Sequence, residues 1–414
     1  MINRLRLFRL SAMSLAFASV TVPGLASASL DDIAQVLAGG KAYGDLRLRY
    51  EGVEQNNAAG DANALTLRTR LGYKTGSFEG LSATVEFEDA RVVAGQDGYD
   101  SLPSPVRNAN YVAKGKSVVA DPEVTELDQG FFQYQVDDFS VKLGRQLLTY
   151  DNHRFVGHVG WRQDRQTFDA ATIKYSGIEN LEINYAYLDQ RNRIFGEVSD
   201  IDSEDHLLNI AYKTNVGKVS TYAYLLEVNN NTDNGLDTYG IRLNGAQQFD
   251  SVKALYTAEY AFQESTTAGN TLESTYMFLE GGVVASGITA KLGYEVLGSD
   301  DSLYAFSTPL ATLHKFNGWT DQFLSTPKQG LQDLYFSVSG ELAGGKWLLA
   351  YHDFSADDAS AAIDDLGNEI DLLYAKKIGK NYSAGIKYGV YSAGDAAAGK
   401  VDTDKVWLWL GAKF

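Results

Sequence analysis

From about residue 42 to its last residue the chain repeats one pattern: short runs in which every second side chain is apolar, punctuated by turn-forming residues. A period of two marks β-strands whose two faces meet different surroundings. Between Gly44 and Glu51, Leu46, Leu48 and Tyr50 fall on one face and Asp45, Arg47, Arg49 and Glu51 on the other. Leu65, Leu67 and Leu71 oppose Thr66, Arg68 and Arg70, and Val85 and Phe87 oppose Glu86 and Glu88. Near the end, Ile386, Tyr388 and Val390 oppose Gly385, Lys387 and Tyr391. Such runs predict strands near 42–53, 63–74, 80–92, 127–137, 139–149, 167–176, 180–190, 204–214, 217–228, 236–247, 251–263, 272–285, 287–299, 329–342, 345–356, 367–378, 380–392 and 403–414.

These eighteen runs are longer than the roughly 5–6 residues usual for strands of soluble proteins. Half-buried soluble strands alternate too, but here the polar faces carry charges suited to a wet interior. The even number, and connections that are short and long by turns, are what a single-chain bacterial barrel requires. The fold expected is therefore all-β: a transmembrane antiparallel β-barrel of about eighteen strands. Asp137-Asp138, Ser286-Gly287, Ala343-Gly344 and Gly379 are expected as periplasmic turns, and 93–126, 150–166 and 300–328 as external loops. Tyr43, Tyr73, Phe139, Tyr175, Tyr212 and Phe249 lie near strand ends, as interfacial girdles do. Near Leu143–Leu147 the face pattern changes, which predicts a bulge and leaves the direction of Arg145 open.

Ahead of the strands, Arg4, Arg6 and Arg9 precede an apolar stretch from Leu10 to Val22 and then Ala26-Ser27-Ala28. That is the layout of a secretory signal peptide, too short in its apolar part for a spanning helix. The reading is a leader over 1–28 and one barrel domain over 29–414, placed in the outer membrane of a Gram-negative bacterium among its lipids and lipopolysaccharide. The last strand puts Val406, Leu408, Leu410, Ala412 and Phe414 on one face. A terminal aromatic on such a face resembles the signal read by the barrel assembly machinery. The bulk numbers agree with a β-rich envelope protein: 40 Gly, 25 Tyr and 19 Phe against 6 Pro and 3 Met, and no Cys. A formal net charge of −17 disfavours nucleic acid as a partner.

Enzymatic chemistry finds no support. None of His153, His158, His206, His314 and His352 sits in an H-E-x-x-H arrangement, and no G-x-S-x-G elbow or phosphate-cradling glycine motif is present. The acidic runs at Asp357-Asp358 and from Asp364 to Glu369 lack the spacing of a calcium-binding helix-loop-helix. No cofactor is expected.

Two segments carry a family resemblance. Residues 144–170 read GRQLLTYDNHRFVGHVGWRQDRQTFDA and 308–335 read TPLATLHKFNGWTDQFLSTPKQGLQDLY. Both resemble the alginate-export family of outer-membrane porins, with a strand rhythm like that family's over the mature chain. The resemblance implies a monomeric eighteen-stranded barrel whose basic lumen conducts polyanionic alginate, with periplasmic partners where export requires them. The residues add their own argument. Arg47 and Arg49 share the polar face of the first strand, and Arg68 and Arg70 that of the second, near Glu86 and Glu88. They form either an open positive patch or an ion-pair network bracing the wall. Arg154, Arg162 and Arg165 fall in a long loop that an inward fold would bring into the pore, with Arg145 and Asp169 at its junctions and Lys174, Arg191 and Arg193 extending the basic lining. Two channel functions follow, passage of an anionic polysaccharide or its oligosaccharides and passage of small solutes. An outer-membrane enzyme or adhesin is the less supported third.

Overall fold

The structure is a computed structural model describing residues 29–95, 97–104, 106–107, 111–230 and 232–414. The leader expected over 1–28 lies outside them. Eighteen antiparallel strands form one sheet: β1 (Lys41–Gln55), β2 (Ala62–Lys74), β3 (Leu81–Ala94), β4 (Val124–Val136), β5 (Phe139–Gln146), β6 (Thr167–Ile178), β7 (Leu181–Asn192), β8 (Ile201–Thr214), β9 (Gly217–Leu226), β10 (Asn234–Phe249), β11 (Val252–Thr267), β12 (Asn270–Ala285), β13 (Ile288–Leu297), β14 (Leu331–Leu342), β15 (Gly345–Ser355), β16 (Asp365–Ile378), β17 (Tyr382–Ser392) and β18 (Thr403–Lys413). Each predicted run becomes a strand, its ends shifted by a few residues. Every strand pairs with its neighbour in sequence, and β18 pairs back onto β1, with Asp45 opposite Lys413 and Gln55 opposite Thr403. Closure gives each strand hydrogen-bonded neighbours on both sides, the condition for β structure in hydrocarbon.

The alternation now has a cause. Leu71, Phe87, Phe132, Ile241, Leu408 and Leu410 are exposed on the outer face, while Arg49, Glu51, Arg68, Glu88 and Asp371 are buried on the inner one. This inversion of a soluble protein is stable only where lipid surrounds the barrel. Two-residue turns at Ser286-Gly287 (φ +50° and +80°) and Ala343-Gly344 (φ +51° and +74°) hold positive φ at both positions, as the hairpin twist requires.

Two expectations need correction. Tyr43 does not belong to an outer girdle: it shares the inward face of Asp45 and Arg49, its ring lies over Gly72 across β2, and its hydroxyl meets Glu86. No inserted residue breaks β5, whose register runs without a shift on both sides. The irregularity there is Gly144, at φ +121°. The loops at 147–166 and 298–330 turn into the barrel, the course weighed above for the first of them. They join there through a parallel bridge between Val156 and Leu310, with Gly157 N donating to Leu310 O at 2.8 Å and Thr312 N to His153 O at 3.1 Å.

Those loops carry the apolar core inward. Val156, Phe306 and Leu310 are completely buried, and Phe155 packs on Tyr222 at 5.0 Å and Tyr276 at 5.3 Å between ring centroids. Side chains of this kind gain by leaving water, and the lumen wall of β6–β13 offers them a dry surface. A single α-helix is found among the described residues, α1 (Leu30–Ala38), ahead of β1 and opened by a capping box of Ser29 and Asp32.

Candidate functional site

Strand register places the basic residues before any loop is considered. Arg47 lies opposite Arg68, Asp45 opposite Arg70, and Arg49 opposite Thr66, all facing inward. Four guanidinium groups this close are held by acceptors. Arg68 donates to Asp45 at 2.6 Å, Arg70 to Glu88, and Arg49 to Asp121, with Glu51 3.3 Å from Arg49. Among the described residues Arg47 alone of the four has no carboxylate in ion-pair range. It donates instead to Gln163 Oε1 (3.0 Å) and to the carbonyls of Gly160 (3.1 Å) and Trp161 (2.7 Å).

The loop that receives these bonds is locked from several directions. Gln163, wholly buried, donates Nε2 to Thr66 Oγ1 at 2.8 Å, and its amide N donates to Asp121 Oδ1 at 2.9 Å. Arg162 reaches Glu51 on one side (2.9 Å) and Asp321 of the second inward loop on the other (2.9 Å). Burial opposes the charge of Arg162, but Glu51 and Asp321 outweigh it and raise its pKa. Arg165 pairs with Glu86 and Asp128. Arg154 crosses to Glu295 at 2.7 Å and Asn317 at 3.1 Å.

On the second loop, burial pushes His314 down to about 3, so it is a neutral imidazole at physiological pH. Its Nδ1–H faces Asp321 Oδ1 at 2.6 Å and its Nε2 accepts from Lys387 at 2.8 Å. Burial also works against the charge on Asp321, yet His314, Lys405 and Arg162 hold its carboxyl well below the usual range. The Lys387 ammonium sits over Trp319 (3.7 Å), Trp161 (4.6 Å) and Trp407 (5.4 Å).

The remaining basic residues divide by partner. Arg145 pairs with Asp169 directly opposite (2.7 Å), Lys174 with Glu182 (2.6 Å) in a half-exposed bridge, and Arg191 with Asp205 through two bonds of 2.7 Å. Among the described residues the Arg193 guanidinium has no carboxylate in ion-pair range and reaches Pro309 O at 3.4 Å, while its backbone N donates to Asp200 Oδ1 at 2.9 Å. With Lys328 and the paired Arg154 it lines a cavity of about 400 Å³ formed largely by the second inward loop, together with Tyr304, Ser307, Thr308 and Thr326.

Strand parity alone points Arg47, Arg49, Arg68, Arg70, Glu86 and Glu88 inward. Asp121, Gln163, Asp321 and Asn317 escaped sequence reasoning because loop residues carry no period. Glu51, Glu295 and Lys387 were within reach of the same parity rule that found the arginines. His153 and His158 stack edge to face at 5.2 Å, and among the described residues no cluster of three or more His, Asp or Glu is arranged to hold a metal ion.

Comparison with known proteins fits this geometry. The barrel is similar to OccK9 (OpdG) of Pseudomonas aeruginosa, with TM-score 0.72 at 15% identity over 92% of this chain and 99% of that one. OccAB1 of Acinetobacter baumannii gives 0.69 at 12% identity over 92% and 97%. OpdK of P. aeruginosa, in a structure with vanillate, gives 0.69 at 11% over 92% and 99%. No curated protein matches the chain. These neighbours share the closed barrel fold of this chain. The sequence model of the alginate export family matches residues 43–295, more than half of the chain; with its closed eighteen-stranded barrel the protein is an outer-membrane channel rather than an enzyme, and it belongs to that family. The match spans β1 to β13 and ends before the 308–335 segment.

Proposed function

We propose that this channel passes small carboxylate-bearing solutes, short oligouronates included, and that Arg193, at the end of β7, and Lys328, in the second inward loop, give them a positive contact in the cavity that both line. The observation that carries this reading is the filled lumen. Two loops, bridged at Val156–Leu310 and tied to β1 by Arg162 and to β13 by Arg154, leave little room for a polymer. Most basic side chains there are neutralised by partners, so attraction of an anion rests on the few that are not. A guanidinium binds a carboxylate through paired donors and stays charged at any physiological pH. The vanillate belongs to OpdK; the carboxylate class here rests on Arg193 and Lys328.

A second reading, conduction of polymeric polyuronate, is favoured by the family match. It requires the paired loops to withdraw and so to break buried ion pairs. In either reading the protein reaches the outer membrane after loss of residues 1–28 and is inserted by the barrel assembly machinery as a monomer. Entry into proteoliposomes separates the two. Uronate monomers and dimers should enter readily, neutral sugars of equal size more slowly, and rates should fall steeply with oligouronate length. Equal entry of long oligouronates would favour the polymer, and equal entry of neutral sugars would remove the anion preference.

A further inference from the structure

The helix α1 is not explained by channel function. Its apolar residues Leu30, Ile33, Ala34 and Leu37 recur at the spacing of one helical face, and Asp31, Asp32 and Gln35 occupy the other. Among the described residues nothing covers the apolar face: no residue of the helix is buried, and Leu30 is 85% exposed. The helix is nevertheless attached. Tyr73 donates its hydroxyl to Leu37 O, and Gly76 N donates to Val36 O at 2.8 Å. Tyr73 lies on the outward face of β2, alternating with the buried Arg68 and Arg70 and sharing the side of exposed Leu71. The last turn of the helix is thus fixed to the lipid-facing rim at the short-turn end, where β1 starts.

We propose that α1 lies in the bilayer surface on the short-turn side, its Leu30–Ile33–Leu37 face continuing the apolar belt of the barrel into the adjoining leaflet. The occupant follows from continuity, since the surface that Tyr73 shares is already a lipid surface. A free helix of this length would bind membrane weakly, and its polar face is acidic rather than basic. Attachment at Tyr73 and Gly76 removes that difficulty by holding it at the interface at high effective concentration. Its contact is therefore apolar and insensitive to salt.

The chain contains no cysteine, so single-thiol variants are clean probes. Ile33→Cys, Leu37→Cys, Asp31→Cys and Gln35→Cys barrels would be labelled with an environment-sensitive fluorophore and reconstituted into phosphatidylethanolamine–phosphatidylglycerol vesicles. Folding of each is checked by its heat-modifiable electrophoretic band. Labels at Ile33 and Leu37 should be quenched several-fold more by shallow doxyl lipids than those at Asp31 and Gln35, with the reverse order for aqueous iodide. This pattern should survive a change from low to high salt. Equal quenching at the four positions would overturn the proposal. So would an Ile33 label that is open to iodide in vesicles but shielded in intact outer membranes, which would assign the face to a protein partner.

Discussion

Among single residues, Glu51 is the sharpest test of what the buried charges do. It accepts from Arg162 and lies beside Arg49, and removing one member of a buried pair typically costs about 3–5 kcal/mol because the other charge is left unpaired. Glu51→Leu should therefore loosen the loop and leave the barrel wall, whose strands keep their hydrogen bonds, almost unaffected. Single-channel records should gain open-state noise while the temperature of barrel unfolding barely moves; a quiet channel with a destabilised barrel would place Glu51 in the wall's stability instead. The inward direction of Glu51 follows from counting every second residue from Asp45. Its partner does not, since Arg162 lies more than a hundred residues away in a segment without periodicity.

The inward loops are held by groups whose protonation sets their working range. Burial, with Glu126 and Glu88 close by, holds Asp164 well above the usual carboxylate range. A carboxyl raised on folding stabilises the folded loop at low pH, and the contribution is lost as pH rises through the raised value. Asp121 behaves oppositely: burial pushes it up, but Arg49 and Arg162 prevail and lower it, as the charges around Asp321 do there. Their contribution is present above the usual carboxylate range and lost as pH falls through their lowered values. Conductance should thus be lowest and steadiest between these limits and should rise on the alkaline side. Asp164→Asn should abolish the alkaline rise and leave the acid one, and an unchanged alkaline limb would exclude Asp164 as its source. The loops' inward course was only partly legible beforehand. The density of Arg, Asp and aromatic residues around Trp161 hinted at it, whereas Phe306 and Leu310 gave no local sign that they pack inside a barrel.

Across the whole molecule, the wall was readable because lipid imposes the same constraint on every strand, and eighteen repeats of it leave a period that no single substitution hides. The exception, Tyr43, fails because an aromatic near a strand end can serve a girdle or fill the space over a glycine, and only the register with Gly72 decides. The closing strand gives a prediction at the same scale. Phe414 exchanges backbone hydrogen bonds with Gly44 (2.9 and 3.1 Å), and its ring sits against that glycine on the outer face. Deleting Phe414 should lower the yield of heat-modifiable barrel in outer membranes, and an unchanged yield would mean that β18 closes the ring without it.

Ion selectivity is set by the sign of the field along the permeation path. A net charge of −17 would by itself favour cations, whereas Arg193 and Lys328, whose side chains have no carboxylate in ion-pair range among the described residues, favour anions in the cavity they line, and a narrow lumen screens such charges less than bulk solution does. The direct measurement is the reversal potential of single channels in a planar bilayer under a potassium chloride gradient, for the wild type and for Arg193→Gln with Lys328→Gln. The wild type should be anion-selective and the double variant should move toward cation selectivity; a wild-type channel that is cation-selective, or a double variant with unchanged reversal potential, would contradict the account.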